Sequence, residues 1–230
     1  MTMGQIIMKV RALDWTEGNV GHVHILLDGG ACRVDWGDGH ASGLTASGLE
    51  WVTSDHVYPE GSRKSGDRFY IVISSCSENI TGILASRGEM QVEDIDISGC
   101  QSLTYFHASW LIDHFDLGKN PGIRKIELQG KACALADFSN SRELRELSVE
   151  YGDAGFIRLD LTGCGKLETL NCRLNNHLTR IAISNRSALK EVVYVSTPLE
   201  GRCLEVLDRI VVRQNGGTVT EISSELDELF

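Results

Sequence analysis

The first residues that could carry chemistry are histidines close to acidic side chains. His22 and His24 alternate along a predicted strand and therefore share one of its faces. A metal site needs at least one more ligand, which the spacing does not supply, so we expect an exposed polar face. Ser54-Asp-His56 has the letters of a catalytic triad, but adjacent strand residues point to opposite faces, whereas a triad is assembled by the fold. These stretches predict no catalytic residue.

A calcium site is the remaining chemical option in this part of the chain. Asp35 and Asp38 could offer carboxylate oxygens, with His40 nearby. Calcium takes about six to eight oxygen ligands, so two acids are too few. The chain has no Gly-rich phosphate loop, no metal-ligand cluster and no nucleophile elbow. The sequence therefore predicts a non-enzymatic protein without a metal or cofactor.

The composition narrows the class of partner. A formal net charge of −10 argues against nucleic acid or an anionic membrane, because both bind clustered Lys and Arg. No apolar run approaches about 18 residues, so no membrane insertion is expected. No basic segment followed by a long apolar one opens the chain, so no secretion signal is predicted. Either the protein stays inside the cell or a leader precedes the given sequence.

Short strands are the elements that position these residues in the N-terminal part. Apolar residues favour strands over residues 6–13, 22–27, 33–36, 49–57, 69–74 and 81–84, with Gly-, Asp- and Ser-rich turns between them. This pattern predicts an antiparallel sandwich. Trp36 is expected to anchor its core, and Tyr58 to hydrogen-bond back to the backbone.

Val34-Asp-Trp-Gly-Asp-Gly39, then His56-Val-Tyr58, Gly61 and Phe69-Tyr-Ile-Val-Ile73, resembles a polycystic-kidney-disease-type (PKD) domain. That family is an Ig-like sandwich with a W-x-F-G-D-G-like turn, followed by H-x-Y, a glycine and a Y-x-V strand. The turn reads D-W-G-D-G here, and the resemblance covers about residues 5–85. It implies an Ig-like β-sandwich over residues 1–88.

Residues 89–200 repeat the pattern φ-D-φ-S-x-x-x-x-L-x-x-L-x-φ, where φ is apolar. Its copies are spaced by 20 to 23 residues and start at Ile95, Phe115, Ala136, Leu159 and Ile181. Such a period is typical of a solenoid, in which each coil buries its apolar edge on its neighbours. The sequence therefore predicts a mainly β protein, in which a solenoid of about five coils follows the sandwich.

The repeats resemble degenerate bacterial leucine-rich repeats with L-D-L-S-N-N and L-x-x-L-x-C, found in gut-bacterial surface proteins. Residues 167–178 also fit L-x-x-L-x-L/C-x-x-N-x-L, with Asn175 at the asparagine position that the other copies lack. In such proteins, repeats beside a PKD-type domain imply a surface-exposed binding or adhesion protein, at the cell surface or outside the cell.

Alternation along the second strand of each coil separates core from surface. The predicted inward residues are Phe106, Ala108, Ile126, Leu128, Leu147, Val149, Leu170, Cys172, Val192 and Tyr194. The opposite side chains form either a solvated surface or a face that binds a protein or glycan. They are Tyr105, His107, Lys125, Glu127, Glu146, Ser148, Glu150, Thr169, Asn171, Arg173, Glu191 and Val193. Tyr105 is the one aromatic residue among them, so no anchor cluster is expected.

The first strand of the coils carries an aspartate ladder, which Ala182 interrupts. Its members are Asp96, Asp116, Asp137 and Asp160. Carboxylates at coil spacing repel one another. The ladder therefore either binds cations or is a polar position relieved by water and by Arg158 and Arg180.

The seven cysteines, without a C-x-x-C pair, predict neither a zinc site nor a redox dithiol. Most are expected to be buried thiols. Cys100 and Cys164 occupy one repeat position three coils apart, roughly 14 Å at strand spacing, which is too far for a disulfide. A Cys32–Cys76 disulfide stays open.

Residues 201–230 are expected to form the C-terminal cap that a solenoid needs. A short helix over residues 204–210 and a hairpin at Asn215-Gly216 are predicted. The acidic end over residues 221–230 is expected to be frayed or to form a last half-turn of helix. The favoured function is a non-catalytic binding module, acting as a monomer or weak oligomer. A structural component of a larger assembly is the alternative. An enzyme with a site at the domain junction, near Glu60, Asp67, Asp94 and His114, is less favoured.

Overall fold

The computed structural model describes residues 4–12, 20–59, 66–85, 90–109 and 112–222. Of these residues, 50% lie in strands and 9% in helices, and the chain contains a β-solenoid of about five turns. The chain divides into two compact units, Met1–Asn120 and Pro121–Phe230, called the first and the second unit below. The mainly β class and the solenoid are confirmed.

The first unit contains eight strands in its described residues. They are β1 (Gly4–Ala12), β2 (Val20–Asp35), β3 (Ala41–Val57), β4 (Arg68–Ser75), β5 (Ile80–Ala85), β6 (Met90–Gly99), β7 (Tyr105–Ala108) and β8 (His114–Phe115). Their order is β7-β5-β2-β4-β1-β6-β8, with β3 also paired to β2. The pairs β5–β7 and β6–β8 are parallel, and the others are antiparallel.

One strand, β2, replaces the two that the sequence predicted on either side of Asp28-Gly-Gly30. Gly29 and Gly30 have φ of 67° and 73°, and the pairing with β3 shifts register between Asp28 and Gly30. Glycine enters this region of φ without steric cost, so the pair forms a bulge rather than a chain-reversing turn. The two parts of β2 then pair with different partners, β5 at residues 24–27 and β4 at residues 33–35. The strands thus form one continuous sheet, and the Ig-like sandwich is not confirmed.

The D-W-G-D-G segment is a tight turn between β2 and β3. Trp36 is fully buried, and the Tyr58 hydroxyl donates to its carbonyl oxygen at 3.0 Å, so both predicted roles are confirmed. The Asp35 carboxylate accepts the Gly37 amide at 3.0 Å. Gly37 has φ of 73°, and a Cβ there would lie 2.3 Å from the Tyr70 carbonyl oxygen. The turn therefore requires glycine at this position.

Strand β6 belongs to two structural patterns at once. It pairs antiparallel with β1, where Met8 opposes Ile95. It also holds the first strand of the first repeat and pairs in parallel with β8, where Ile95 opposes Phe115. The first repeat is thus built into the sheet of the first unit.

The second unit is a solenoid of parallel strands. One sheet has the order β9 (Lys125–Gln129), β10 (Glu146–Glu150), β12 (Thr169–Asn171), β14 (Glu191–Tyr194) and β15 (Thr218–Glu221). A second sheet pairs β11 (Arg158–Leu161) with β13 (Arg180–Ile183). A helical turn, α1 (Ala132–Leu135), follows β9. Leu147 lies opposite Ile126 and Leu170, which is the register that the repeat predicts.

The repeat pattern also places the core correctly. All ten predicted inward residues of the second strands are buried, with Tyr194 the most exposed at 7%. The turn after each first strand buries a small or polar residue whose amide donates to the carbonyl three residues back. These residues are Cys100, Asn120, Ser141, Cys164 and Ser187. Cysteine at this position therefore serves packing.

Asn175 acts as the asparagine of the repeat motif. Its side chain is fully buried. Its Oδ1 accepts the Gly152 amide at 2.7 Å, and its Nδ2 donates to the carbonyls of Val149 and Arg173 at 2.9 and 3.1 Å. In the next coil, Thr197 donates to the Cys172 carbonyl at 2.7 Å. A hydroxyl thus satisfies the same position where the motif lacks Asn.

The C-terminal segment adds one more strand to the solenoid. Helix α2 (Gly201–Leu207) continues as a π-helical segment over Asp208–Gln214. β15 pairs in parallel with β14, so the predicted hairpin at Asn215-Gly216 is wrong. The residues before Asn215 are helical, and Asn215 Nδ2 binds the carbonyls of Ser187 and Leu189. The predicted frayed end lies largely outside the described residues.

All seven cysteines are free thiols, and six of them are buried. Cys32 and Cys76 are not bridged. Burial raises the pKa of the Cys32 and Cys100 thiols to about 11 and those of Cys133, Cys164 and Cys172 to about 12. These thiols are therefore protonated at neutral pH and act as small apolar groups.

Candidate functional site

The predicted binding residues of the second unit form rows across its larger sheet. Register places Lys125, Glu146, Thr169 and Glu191 in one row and Glu127, Ser148, Asn171 and Val193 in the next. All are half-buried or exposed. The structure therefore brings these side chains together on one face, as predicted.

Many charged and polar groups of this face are paired with one another through ion pairs and hydrogen bonds. Lys125 Nζ lies 3.0 Å from Glu127 and 3.6 Å from Glu146. The hydrogen bond to Glu127, with the two negative charges, raises the pKa of Lys125. The Glu150 carboxylate accepts Asn171 Nδ2 at 2.8 Å and the Ser148 hydroxyl at 3.0 Å.

Glu150 also lies 3.4 Å from the Arg173 guanidinium. The carboxylate thus has several partners within its own face, and changing it would disturb the face itself. Glu146 is more exposed and has a weaker pairing, so it offers a cleaner probe of ligand contact.

In the first unit, Tyr105 and His107 lie on a wider sheet face than the sequence predicted. Across β7, β5, β2 and β3, one row contains Tyr105, Gly82, Leu26 and Trp51. The neighbouring row contains His107, Leu84, His24 and Thr53. Except at Gly82, the residues of these rows are half-buried or exposed. The alternate residues Val23, Ile25, Leu27, Ile83 and Ala85 are buried.

An aromatic pair lies at the centre of this face. The rings of Trp51 and Tyr105 meet edge to face, with centroids 5.3 Å apart. Gly82 makes room for the contact, because a Cβ there would lie 2.8 Å from Leu26 Cβ and 3.3 Å from Tyr105 Cβ. Trp51 is 45% exposed and Leu49, two residues before it, is 66% exposed. Tyr105 is the one aromatic residue among the predicted outward residues, and Trp51 of β3 adds a second aromatic ring to the same sheet face.

Polar groups flank the aromatic pair. His24 Nδ1 lies 3.0 Å from the Thr53 hydroxyl, and His22 Nδ1 lies 2.7 Å from the Asp55 carboxylate. This arrangement fits the exposed polar face expected for the two histidines. We call the surface formed by Trp51, Tyr105, Leu26, Leu49, His24, Thr53 and His107 the aromatic face.

No family model, curated protein or solved structure matches this chain. The PKD and leucine-rich-repeat assignments therefore stay resemblances. Within the described ranges, no helix is long and apolar enough to cross a bilayer.

The repeated aspartates have a local backbone role. Each accepts the amide two residues ahead, at 2.7 to 3.1 Å, in Asp96, Asp116, Asp137 and Asp160. Such contacts stabilise the turn that ends the first strand. The Thr162 hydroxyl and amide hold the pKa of Asp160 below its usual value, and Arg158 adds to the effect. These contacts explain the recurrence of aspartate at this repeat position without a bound cation.

The residues named for a junction enzyme come together only in part. His114 Nδ1 lies 3.2 Å from the Asp94 carboxylate, and both side chains are largely exposed. The Asp67 backbone carbonyl accepts the Ala12 amide at 2.9 Å. Glu60 lies outside the described residues. The pair Asp94–His114 offers no enclosed site for a substrate.

A second cluster of titratable groups lies at the D-W-G-D-G turn. One ligand atom from each of Asp38, His40 and His56 lies within 4.8 Å of the others. His56 Nε2 is 2.7 Å from Asp38 Oδ2, and His40 Nδ1 is 3.3 Å from Asp38 Oδ1. Burial alone would raise the pKa of Asp38, but the His56 hydrogen bond, the His40 amide and the two imidazole charges lower it.

Sequence reasoning missed this cluster. The sequence suggests Asp38 and His40 only as weak calcium ligands beside Asp35, and His56 falls in Ser54-Asp-His56 and in the H-x-Y segment. The signal was the resemblance itself, since the G-D-G turn and the H-x-Y segment belong to one motif. His56 lies opposite Gly21, near the end of the β2–β3 ladder farthest from the turn, so its contact with Asp38 requires the ladder to fold back toward the turn.

Proposed function

We propose that this chain is a non-catalytic recognition module that binds a protein or glycan ligand through the outward faces of its β-sheets. The observation that carries the proposal is the Trp51–Tyr105 pair, in which Trp51 is exposed and Tyr105 is half-buried. Tryptophan and tyrosine are enriched among residues that dominate binding energy. They offer large amphipathic surfaces with few rotatable bonds, so binding costs little side-chain entropy.

The surroundings of the pair support a ligand contact. Leu26 and Leu49 extend the apolar surface, whereas His24, Thr53 and His107 offer hydrogen-bonding groups beside it. A central apolar anchor with a polar rim is the usual organisation of a recognition site. The charged face of the second unit is a separate candidate contact surface, and its internal ion pairs limit what each of its residues contributes.

The resemblance to bacterial surface proteins points the same way. It implies adhesion at a cell surface, and we include that setting in the proposal. The alternative, a component of a larger assembly, uses the same aromatic face but with another copy of the chain as ligand.

The test begins with a glycan and protein array, followed by affinity measurements on the ligands found. Trp51→Ala and Tyr105→Ala should each weaken binding by about 2 kcal/mol, roughly thirtyfold. Tyr70→Ala is the matched control, because Tyr70 is 56% exposed on β4 and lies outside the aromatic face. Glu146→Lys tests the second unit.

Equal affinity of Trp51→Ala, Tyr105→Ala and the wild type would refute the choice of face. Light scattering, which measures the oligomeric state, distinguishes the assembly alternative from binding of a different molecule. Self-association that is lost in Trp51→Ala would favour assembly over recognition of a different molecule.

A further inference from the structure

The Asp38, His40 and His56 cluster has the composition and geometry of a metal-binding site. We propose that these three side chains bind a divalent first-row transition metal ion of the Zn²⁺ class. The site lies in the turn between β2 and β3 and is independent of the aromatic face.

The donor set selects the class of ion. Two imidazole nitrogens and one carboxylate oxygen suit Zn²⁺ and its neighbours in the series, whereas calcium and magnesium prefer oxygen ligands. Three protein ligands leave room for water at the fourth tetrahedral position. The calcium option considered for Asp35 and Asp38 is therefore not the one that the geometry favours. The Asp35 carboxylate instead holds the Gly37 amide.

Two of the three ligands are held in place by packing. The His56 ring stacks on buried Trp36, with centroids 5.2 Å apart, and meets Tyr58 edge to face at 4.5 Å. Asp38 is fixed within the glycine turn and accepts the His40 amide at 3.0 Å. The side chains of Asp38 and His56 are only 10% and 14% exposed. Little conformational entropy is therefore lost when they bind an ion.

The adjustment needed for coordination is small. Metal–ligand distances near 2.0–2.1 Å place tetrahedral ligand atoms about 3.3 Å apart. His40 and Asp38 are already 3.3 Å apart, and His56 and Asp38 are 2.7 Å apart. The ion would replace the hydrogen bond between His56 and Asp38 and widen that distance by roughly half an ångström. His40 is 65% exposed, so its ring has room to turn onto the ion.

A purely structural hydrogen bond is the competing explanation for Asp38 and His56. Such a bond would close the turn without an ion and would not need His40. His40 therefore separates the two explanations. Its exposure also means that replacing it should leave the fold intact, whereas changes at Asp38 or His56 could unfold the turn.

The test uses the full chain, without an affinity tag and after treatment with a chelator. Zn²⁺ is titrated by calorimetry, and Co²⁺ by its visible absorption in tetrahedral coordination. We expect one equivalent of either ion per chain, with Zn²⁺ displacing Co²⁺. His40→Ala should weaken binding by at least about tenfold, the smaller loss seen when even an outer-shell partner is removed.

The matched control is the double variant His22→Ala/His24→Ala. It removes two histidines from the same unit and should bind as the wild type does. Circular dichroism confirms that each variant is folded. The absence of binding at one equivalent, or equal affinity in His40→Ala and the wild type, would overturn the proposal. So would loss of binding in the double variant.

Discussion

Replacing Asn175 by alanine should destabilise the solenoid strongly. The side chain accepts one backbone amide and donates to two backbone carbonyls, and all three contacts are no longer than 3.1 Å. A buried hydrogen bond contributes about 0.5–1.5 kcal/mol net, and an amide left unsatisfied in the interior costs about 1–3 kcal/mol. The expected loss for Asn175→Ala is therefore about 3 kcal/mol. In a chain of this length that corresponds to roughly 6–12 °C in Tm.

Two further variants sharpen this prediction. Asn176 is the neighbouring residue and is exposed, so Asn176→Ala should change stability by less than about 0.5 kcal/mol. Asn175→Asp keeps an acceptor for the Gly152 amide but places a carboxylate against two carbonyl oxygens. It should be at least as damaging as Asn175→Ala.

Thermal and urea unfolding, followed by far-ultraviolet circular dichroism, measure the effect. Tryptophan fluorescence reports on the first unit, because all four tryptophans belong to it. The loss of stability caused by Asn175→Ala in the second unit must therefore appear in the circular dichroism transition. Equal stability of Asn175→Ala and Asn176→Ala would refute the role assigned to the buried amide.

Three other changes test separate parts of the structure. Gly82→Ala should displace Tyr105 and lower the free energy of unfolding by about 1–3 kcal/mol through overpacking. Thermal unfolding measures the effect, with Gly43→Ala as the control because a Cβ at Gly43 would meet no atom within 4 Å. Glu93→Gln should cost about 1.5–3 kcal/mol, because this nearly buried carboxylate is ion-paired to basic side chains of β1 and β4; an unchanged urea midpoint would contradict this. The folded-state pKa of Asp160 is lowered, so its stabilisation is present at neutral pH and is lost as pH falls through that pKa. Asp160→Asn should therefore have a lower urea midpoint than the wild type at neutral pH, and this difference should shrink as pH falls below the ordinary Asp pKa of about 4. A constant difference would contradict the assignment.

The solenoid could be predicted from the sequence because the pattern that specifies it lies within each short repeat. Each coil repeats the same alternation, so the inward residues of one coil and their register with the next follow from one pattern. Leu147 indeed pairs with Ile126 and Leu170. The same locality made Asn175 recognisable from its motif.

The features that were missed depend on context beyond the local pattern. Gly29-Gly30 signals a turn, yet continued pairing with β3 makes it a bulge. Asn215-Gly216 signals a hairpin, yet the preceding residues are helical and the following strand joins β14 in parallel. Local turn propensity indicates where the chain can change direction, whereas tertiary strand pairing determines whether a bulge, a hairpin or a parallel connection forms there.

The two candidate sites were hidden for a related reason. Trp51 reaches Tyr105 across two intervening strands, over a glycine whose role depends on its neighbours. His56 meets Asp38 although strand pairing places it opposite Gly21, at the end of the β2–β3 ladder away from the turn. The sequence shows these residues but not the strand order that brings them together.

The central position of β1 has a consequence for folding order. In the sheet of the first unit, β1 lies between β4 and β6, with Ile6 opposite Ile73 and Met8 opposite Ile95. These distant pairings close large loops and should form slowly. During synthesis, β1 gains its last partner only after β6 has emerged from the ribosome, whereas each later coil can pair as soon as it follows its neighbour. A fragment ending at residue 88 would leave one edge of β1 unpaired and prone to aggregation.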